Sequence, residues 1–226
     1  MTFLDRMDAG RRLAIALRSY EDQHPVVLAL PRGGVAVAAP IARALAAPLD
    51  VVLVRKIGVP FQPELAMGAI VDGDAPTVVR NEEVIRAVGV TEREFAAECA
   101  RELAEIERRR SLLFGDGVFT EISGSSAIVV DDGVATGATA RAALRALRKR
   151  GPKSLILAAP VGAPETLESL RAEADAVVCI EAPADFAAVG SFYADFRQLS
   201  DDDVVALLAP FRPRGAPRLR NEPGLS

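Results

Sequence analysis

The chain has no tryptophan, a single histidine and two cysteines among its 226 residues. His24 falls in a loop before a strand, which argues against a histidine-centred catalytic triad and against a histidine metal cluster. Cys99 and Cys179 lie far apart, so the expectation is reduced, buried thiols in a cytoplasmic protein. No stretch approaches the ~20 uninterrupted apolar residues of a membrane helix. Met1 to Arg6 lacks the basic-then-apolar order of a signal peptide. Basic excess is missing too, and a net charge of −4 argues against a dedicated nucleic-acid binder. What is present is apolar substance: 50% of residues are hydrophobic, enough for one large α/β domain with a buried core over residues 1–211.

The densest chemistry lies at residues 127–139. Ala127-Ile128-Val129-Val130 reads as a buried strand that ends at two carboxylates, Asp131 and Asp132. A Gly/Ala/Thr turn follows, and then Ala140, Ala143, Leu144 and Leu147 set a helical period. A strand, a small-residue loop and a helix present bare backbone N–H groups to an anion. Ala135, Thr136, Gly137, Ala138 and Thr139 are therefore candidates to hold a phosphate. A pure phosphate cradle would avoid acids at its mouth, so the ligand must want carboxylates near its phosphate. A ribose diol does, through charge-assisted hydrogen bonds of about 1.5–3 kcal/mol each. A Mg²⁺ bridging hydroxyls and pyrophosphate does as well. An ordinary strand-to-helix turn with acids capping the helix is the competing reading.

The stretch resembles the PRPP-binding signature of type I phosphoribosyltransferases: hydrophobic strand, two acids, then a small-residue loop ending in Thr-Gly-x-Thr. No G-x-x-x-x-G-K-[ST] loop and no G-x-G-x-x-G after a strand competes with it. The resemblance implies an α/β fold, a mostly parallel twisted sheet flanked by helices, with a small hood and an antiparallel flexible-loop hairpin. It also implies Mg²⁺-dependent phosphoribosyl transfer from PRPP to a nitrogenous base or related acceptor, releasing pyrophosphate. Asp131 and Asp132 would then hold the ribose hydroxyls and, through these or through water, Mg²⁺. Partners would be small molecules, without membrane or nucleic acid, and self-association stays open. The alternative on the same fold is a non-catalytic sensor of PRPP or nucleotide.

Two further loops carry the resemblance. Val26 to Leu30 reads as a strand buried on both faces and runs into Pro31-Arg32-Gly33-Gly34. That loop is similar to the family's pyrophosphate cradle, which makes Arg32, Gly33 and Gly34 candidates. The helix after it contains Pro40, which suggests an irregular first turn. Leu49 to Val54 is expected as another buried strand, with Arg55-Lys56 at its carboxyl end, where ligands collect. Arg55-Lys56-Ile57-Gly58 resembles the Arg-Lys-x-Gly of the adenine-specific branch, implying Arg55 and Lys56 on pyrophosphate and Lys56 in catalysis. Gly58 to Glu64 has turn formers enough for a mobile loop, and Leu65 to Val71 with Thr77 to Val79 reads as a hairpin.

Residues 81–114 read as a charged helical insert, with a Thr91/Glu94 capping box and an apolar stripe of Phe95, Cys99, Leu103 and Ile106. Arg101, Arg108, Arg109 and Arg110 are expected on its solvated face, paired with glutamates. Residues 181–190 resemble the Glu-x-Pro-x-x-Phe-x-x-Val-Gly segment of hypoxanthine-guanine phosphoribosyltransferases, within a hood at about 181–199. There Phe186, beside Ala187, would be the base platform, and Arg197 would meet pyrophosphate. Phe192 and Tyr193 are expected merely to pack. The lysine with which those enzymes read a base carbonyl has no counterpart in Ala159 to Pro164, so the acceptor is not assigned. Residues 212–226, rich in Pro, Gly and Arg, read as a disordered tail.

Overall fold

The computed structural model describes residues 2–73, 75–114 (Phe114 by its backbone only) and 119–212. Eight strands occur among them: β1 (Val26–Ala29), β2 (Leu49–Val51), β3 (Val54–Val59), β4 (Gln62–Val71), β5 (Thr77–Arg80), β6 (Ser126–Val130), β7 (Ser154–Val161) and β8 (Ala176–Glu181). Five pair in parallel in the order β2-β1-β6-β7-β8, and β3-β4-β5 form a separate antiparallel sheet. The helices are α1 (Arg6–Ala16), α2 (Gly33–Ala44), α3 (Glu82–Val88), α4 (Glu92–Phe114), α5 (Ala138–Arg148), α6 (Pro164–Leu170) and α7 (Asp201–Leu208).

The parallel strands are apolar on both faces because helices cover both. Val27, Ala29, Ile128, Val130, Ile156 and Ala158 pack into one core with side chains of α1, α2 and α7. Their neighbours Val26, Leu28, Ala127, Val129, Leu155 and Leu157 pack into a second core with α5 and α6. Strand alternation thus divides one apolar run between two cores. A third, smaller cluster joins Phe3, Ala9, Val161 and Tyr193 to Phe186, Val189, Phe192 and Phe196, forming the hood over the end of the sheet. The mostly parallel sheet, the hood and the antiparallel hairpin are as the resemblance implies.

Several local expectations change. The apolar run 49–54 is not one strand. The last ladder bond of β2 runs from Val52 N to Ala29 O, after which Leu53 N donates to Asp72 Oδ1 and the chain re-pairs as β3. Arg55 and Lys56 therefore sit on the antiparallel sheet and not at the carboxyl end of a parallel strand. Gly58 to Glu64 is a hairpin tip rather than a loop: β3 and β4 continue to Val59 and Gln62 through register shifts at Gly58. Pro40 lies inside α2, beyond its first turn. On α1, Leu13 is buried, and so is Leu17 just beyond, whereas Ala16 is exposed. Both cysteines are free and half-buried.

On α4 the capping box is present: Thr91 N donates to Glu94 Oε2 at 2.9 Å, and Glu94 N to Thr91 Oγ1 at 3.3 Å. Arg101 and Arg108 pair with Glu98 and Glu105 on the solvated face. Arg110 does not belong with them. It is buried, and its guanidinium meets Asp72 at 2.9 Å and Asp50 at 3.2 Å. Arg212 also departs from the expected tail, donating to the Leu113 carbonyl on α4. Residues 213–226, the rest of that tail, lie outside the described residues.

Candidate active site

Strand order in the parallel sheet reverses between β1 and β6, a topological switch point of the kind where open α/β sheets bind ligands beyond the carboxyl ends of their strands. The two motif loops emerge there. After β1, residues 31–34 turn directly into α2, and the Pro31–Arg32 peptide bond is cis. After β6 come Asp131 and Asp132, then Val134, which is fixed to the end of β7 by Val134 N to Val161 O at 2.9 Å and Ala163 N to Val134 O at 2.9 Å. The loops touch. A Cβ on Gly33 would fall 1.8 Å from Asp132 Oδ2, a contact only glycine permits.

The phosphate-loop candidates stand at the start of α5. Gly137 caps that helix at φ 71° with its Cα face against Thr166 and Leu170, which suits glycine. Ala135, Thr136, Ala138 and Thr139 are exposed, and Thr166 Oγ1 holds the Ala135 carbonyl at 2.8 Å. The helix dipole favours an anion at this end.

The acids are organised by a residue the motifs do not contain. Arg6, on the first turn of α1, donates from Nε to Asp132 Oδ2 at 2.7 Å and from Nη1 to the Arg197 carbonyl at 3.0 Å. Its guanidinium lies 3.8 Å from the centre of the Phe196 ring. Tyr193, expected only to pack, also donates its hydroxyl to the Asp132 carbonyl at 2.5 Å. Burial and the charge of Asp132 raise the Asp131 carboxyl well above the ordinary range, against a smaller pull from Arg6. The Tyr193 phenol is raised as well, chiefly by burial.

The remaining candidates are dispersed around this centre. Arg32 points to the start of α7, pairing with Asp201 at 3.0 Å and donating to the Leu199 carbonyl at 3.2 Å. Arg55 pairs with Glu102 of α4 at 2.7 Å, and Lys56 with Glu64 at 3.3 Å. Both line a cavity of about 500 Å³ that Thr139 also borders, so the hairpin cations share one space with the end of the 135–139 loop. Phe186 is half-buried and stacks on Phe192 at 5.8 Å, while Ala187 is exposed. Arg197 projects outward with its side chain 84% exposed and pairs with Asp195; only its carbonyl faces Arg6.

Among the described residues no group of three or more His, Cys, Asp or Glu side chains is placed to cage a metal. Asp131 and Asp132, one of them already paired with Arg6, suit a hydrated cation that takes most of its ligands from substrate and water.

Fold and loops together define an α/β protein whose small-residue loop and acidic pair stand at a topological switch point of the sheet. Comparison with known proteins narrows this. The family model described as the phosphoribosyl transferase domain matches residues 4–197, and the chain belongs to that family. A Mycobacterium tuberculosis protein named "Putative phosphoribosyl transferase", found in two strains, is 46% identical over 206 residues, or 91% of this chain. The chain spans only 46% of that relative's length. The crystal structure of TT1426 from Thermus thermophilus superposes with a TM-score of 0.79 at 41% identity, covering 94% of this chain and all of that one.

Proposed function

We propose that the chain is an enzyme catalysing Mg²⁺-dependent phosphoribosyl transfer from PRPP to a nitrogenous acceptor, with release of pyrophosphate. One observation carries the reading: the Gly33 turn after β1 and the acidic pair after β6 meet in van der Waals contact at the switch point. The contact supports the reading because a tight strand-to-helix turn then lies beside carboxylates suited to a ribose diol.

The barrier to such a transfer is positive charge at the anomeric carbon as pyrophosphate departs. Asp131 and Asp132 bind the ribose hydroxyls, and the Asp132 carboxylate stabilises that charge. Backbone N–H groups of residues 135–139 hold the 5′-phosphate, so binding energy remote from the reacting carbon positions the sugar. Lys56, with Arg55, Arg32 and the Gly33-Gly34 turn, receives the pyrophosphate; Arg55 and Arg32 exchange their present carboxylate partners for it. Mg²⁺, when bound, neutralises charge on the leaving group. Phe186 offers the acceptor a stacking face, a role in which Phe192 supports it from behind. Arg197 reaches pyrophosphate only by turning inward from its exposed position.

The test is pyrophosphate release from PRPP and Mg²⁺ across purines, pyrimidines and small heterocycles, with Asp132→Asn in parallel. Acceptor-dependent release that falls on the order of 100-fold in the variant is expected. Tight PRPP binding without turnover would instead make the protein a sensor, and neither binding nor turnover would overturn the reading.

A further inference from the structure

Arg6 lies 126 positions from Asp132 in sequence, yet among the described residues it is the cation that pairs with this acid. Its side chain is only 11% exposed, and that of Asp132 only 17%. An arginine so placed is expensive to bury unless its donors are matched. Here Nε meets Asp132, Nη1 meets the Arg197 carbonyl, and the flat face lies on Phe196 with Tyr193 alongside at 6.0 Å. The result is a clamp with three anchors: α1, the hood and the β6 loop.

The clamp is aimed. It engages Asp132 through Oδ2, the same oxygen that faces Gly33. Tyr193, alongside the guanidinium, fixes the main chain of the same residue through its hydroxyl. The ion pair at Oδ2 restrains rotation of the carboxylate and leaves Oδ1 outside the Arg6 contact. A carboxylate held in one orientation binds a diol without first losing rotational freedom.

We propose that Arg6 is a positioning residue, acting through Asp132 to pre-orient the carboxylate that receives the ribose hydroxyls. The inference rests on the reading of Asp132 given above. It assigns the N-terminal helix and the hood a shared role in sugar recognition, since Phe196 and the Arg197 carbonyl hold the guanidinium in place.

A ligand that carries the diol should feel the loss of Arg6, whereas one that lacks it should not. Calorimetric titration of the full chain with ribose 5-phosphate and, separately, pyrophosphate, each with Mg²⁺, makes that comparison for wild type, Arg6→Gln and Arg6→Lys. For Arg6→Gln, ribose 5-phosphate affinity should fall about tenfold and pyrophosphate affinity less than about twofold. Arg6→Lys should recover part of the loss, because it restores charge but not the planar fork. Unchanged ribose 5-phosphate binding in a folded Arg6→Gln protein overturns the proposal. So does tighter binding, which would make Arg6 a competitor for Asp132, and so does equal loss of both ligands, which would make it a structural prop. Should Arg6→Gln fail to fold, the same comparison between Arg6→Lys and wild type decides, with the same selective loss required. A wild type that binds neither ligand overturns the reading of the site itself, and the proposal with it; that outcome is distinct from a wild type that binds both.

Discussion

Gly33 shows how little space a single side chain has at the centre of this site. Its missing Cβ is what lets the Asp132 carboxylate and the Arg6 Nε sit where they do, the latter 2.9 Å from the vacant position. Gly33→Ala should displace Asp132 and abolish ribose 5-phosphate binding, while Gly151→Ala, whose added Cβ would meet only Ser123 at 3.8 Å but whose φ of 68° disfavours alanine, should lower stability and leave that binding intact. The same calorimetric titration reads both. Cys179 is a second residue with a defined chemical expectation. Burial pushes its thiol up to about 11, and its Sγ donates to the Glu181 carbonyl at 3.2 Å. The nucleophile is the thiolate, so alkylation at pH 7.5 should run roughly 100-fold slower than at an ordinary thiol. Mass-spectrometric timing of iodoacetamide labelling checks this; labelling at the ordinary rate would contradict the burial. At this scale the sequence was readable only along the chain. Asp131, Asp132 and the 135–139 loop announce themselves by adjacency, whereas Arg6 and Tyr193 reach the same point from opposite ends of the chain. Periodicity assigns a residue to a helix face, but it does not say which loop that face will meet across a sheet.

Elements were more legible than residues wherever a local signal set them. The Thr91/Glu94 box starts α4, and Ser200 caps α7 with Asp203 closing a reciprocal box. Thr91→Ala should lower stability by about 1 kcal/mol, the usual cost of losing such a cap, measurable as a shift in denaturant midpoint at unchanged slope. The misreadings have a common cause: a local pattern continued through a change of partner. Leu49 to Val54 is apolar without a break, yet hydrogen bonding passes from Ala29 to Asp72 in the middle of it. Gly58, Pro60 and Pro63 signal a turn, yet the antiparallel pairing runs on almost to the tip because the register shifts at Gly58 absorb them. Turn formers mark irregular backbone, and a bulged strand is as good a host for them as a loop.

The molecule as a whole consists of two sheets that share no ladder, and a buried charge cluster helps to join them. Arg110 of α4 donates to Asp72 at the end of β4, to Asp50 and the Val51 carbonyl on β2, and lies 3.6 Å from the Phe119 ring centre. Thr120 N and Leu53 N complete the acids at 2.9 Å each. No spacing rule brings residues 50, 72 and 110 together, which is why the arginine read as one more solvated charge on a helix rich in them. Removing it leaves two carboxylates without their cation, so Arg110→Met should destabilise by about 3–5 kcal/mol. The cluster also carries a pH signature. Burial raises the Asp72 carboxyl from 3.8 to about 6, with Arg110 opposing the rise. A carboxyl raised in the folded state binds its proton there more tightly than in the unfolded chain. Its contribution to stability is therefore greatest below about pH 4 and is lost as the pH climbs through about 6, a change of about 3 kcal/mol for two pH units of difference. Asp72→Asn removes that titration. The stability of Asp72→Asn relative to wild type should therefore rise between pH 4 and pH 7, as followed by urea unfolding across that range. A constant difference would show that Asp72 stays ionised throughout, with Arg110 outweighing burial at the junction of the two sheets.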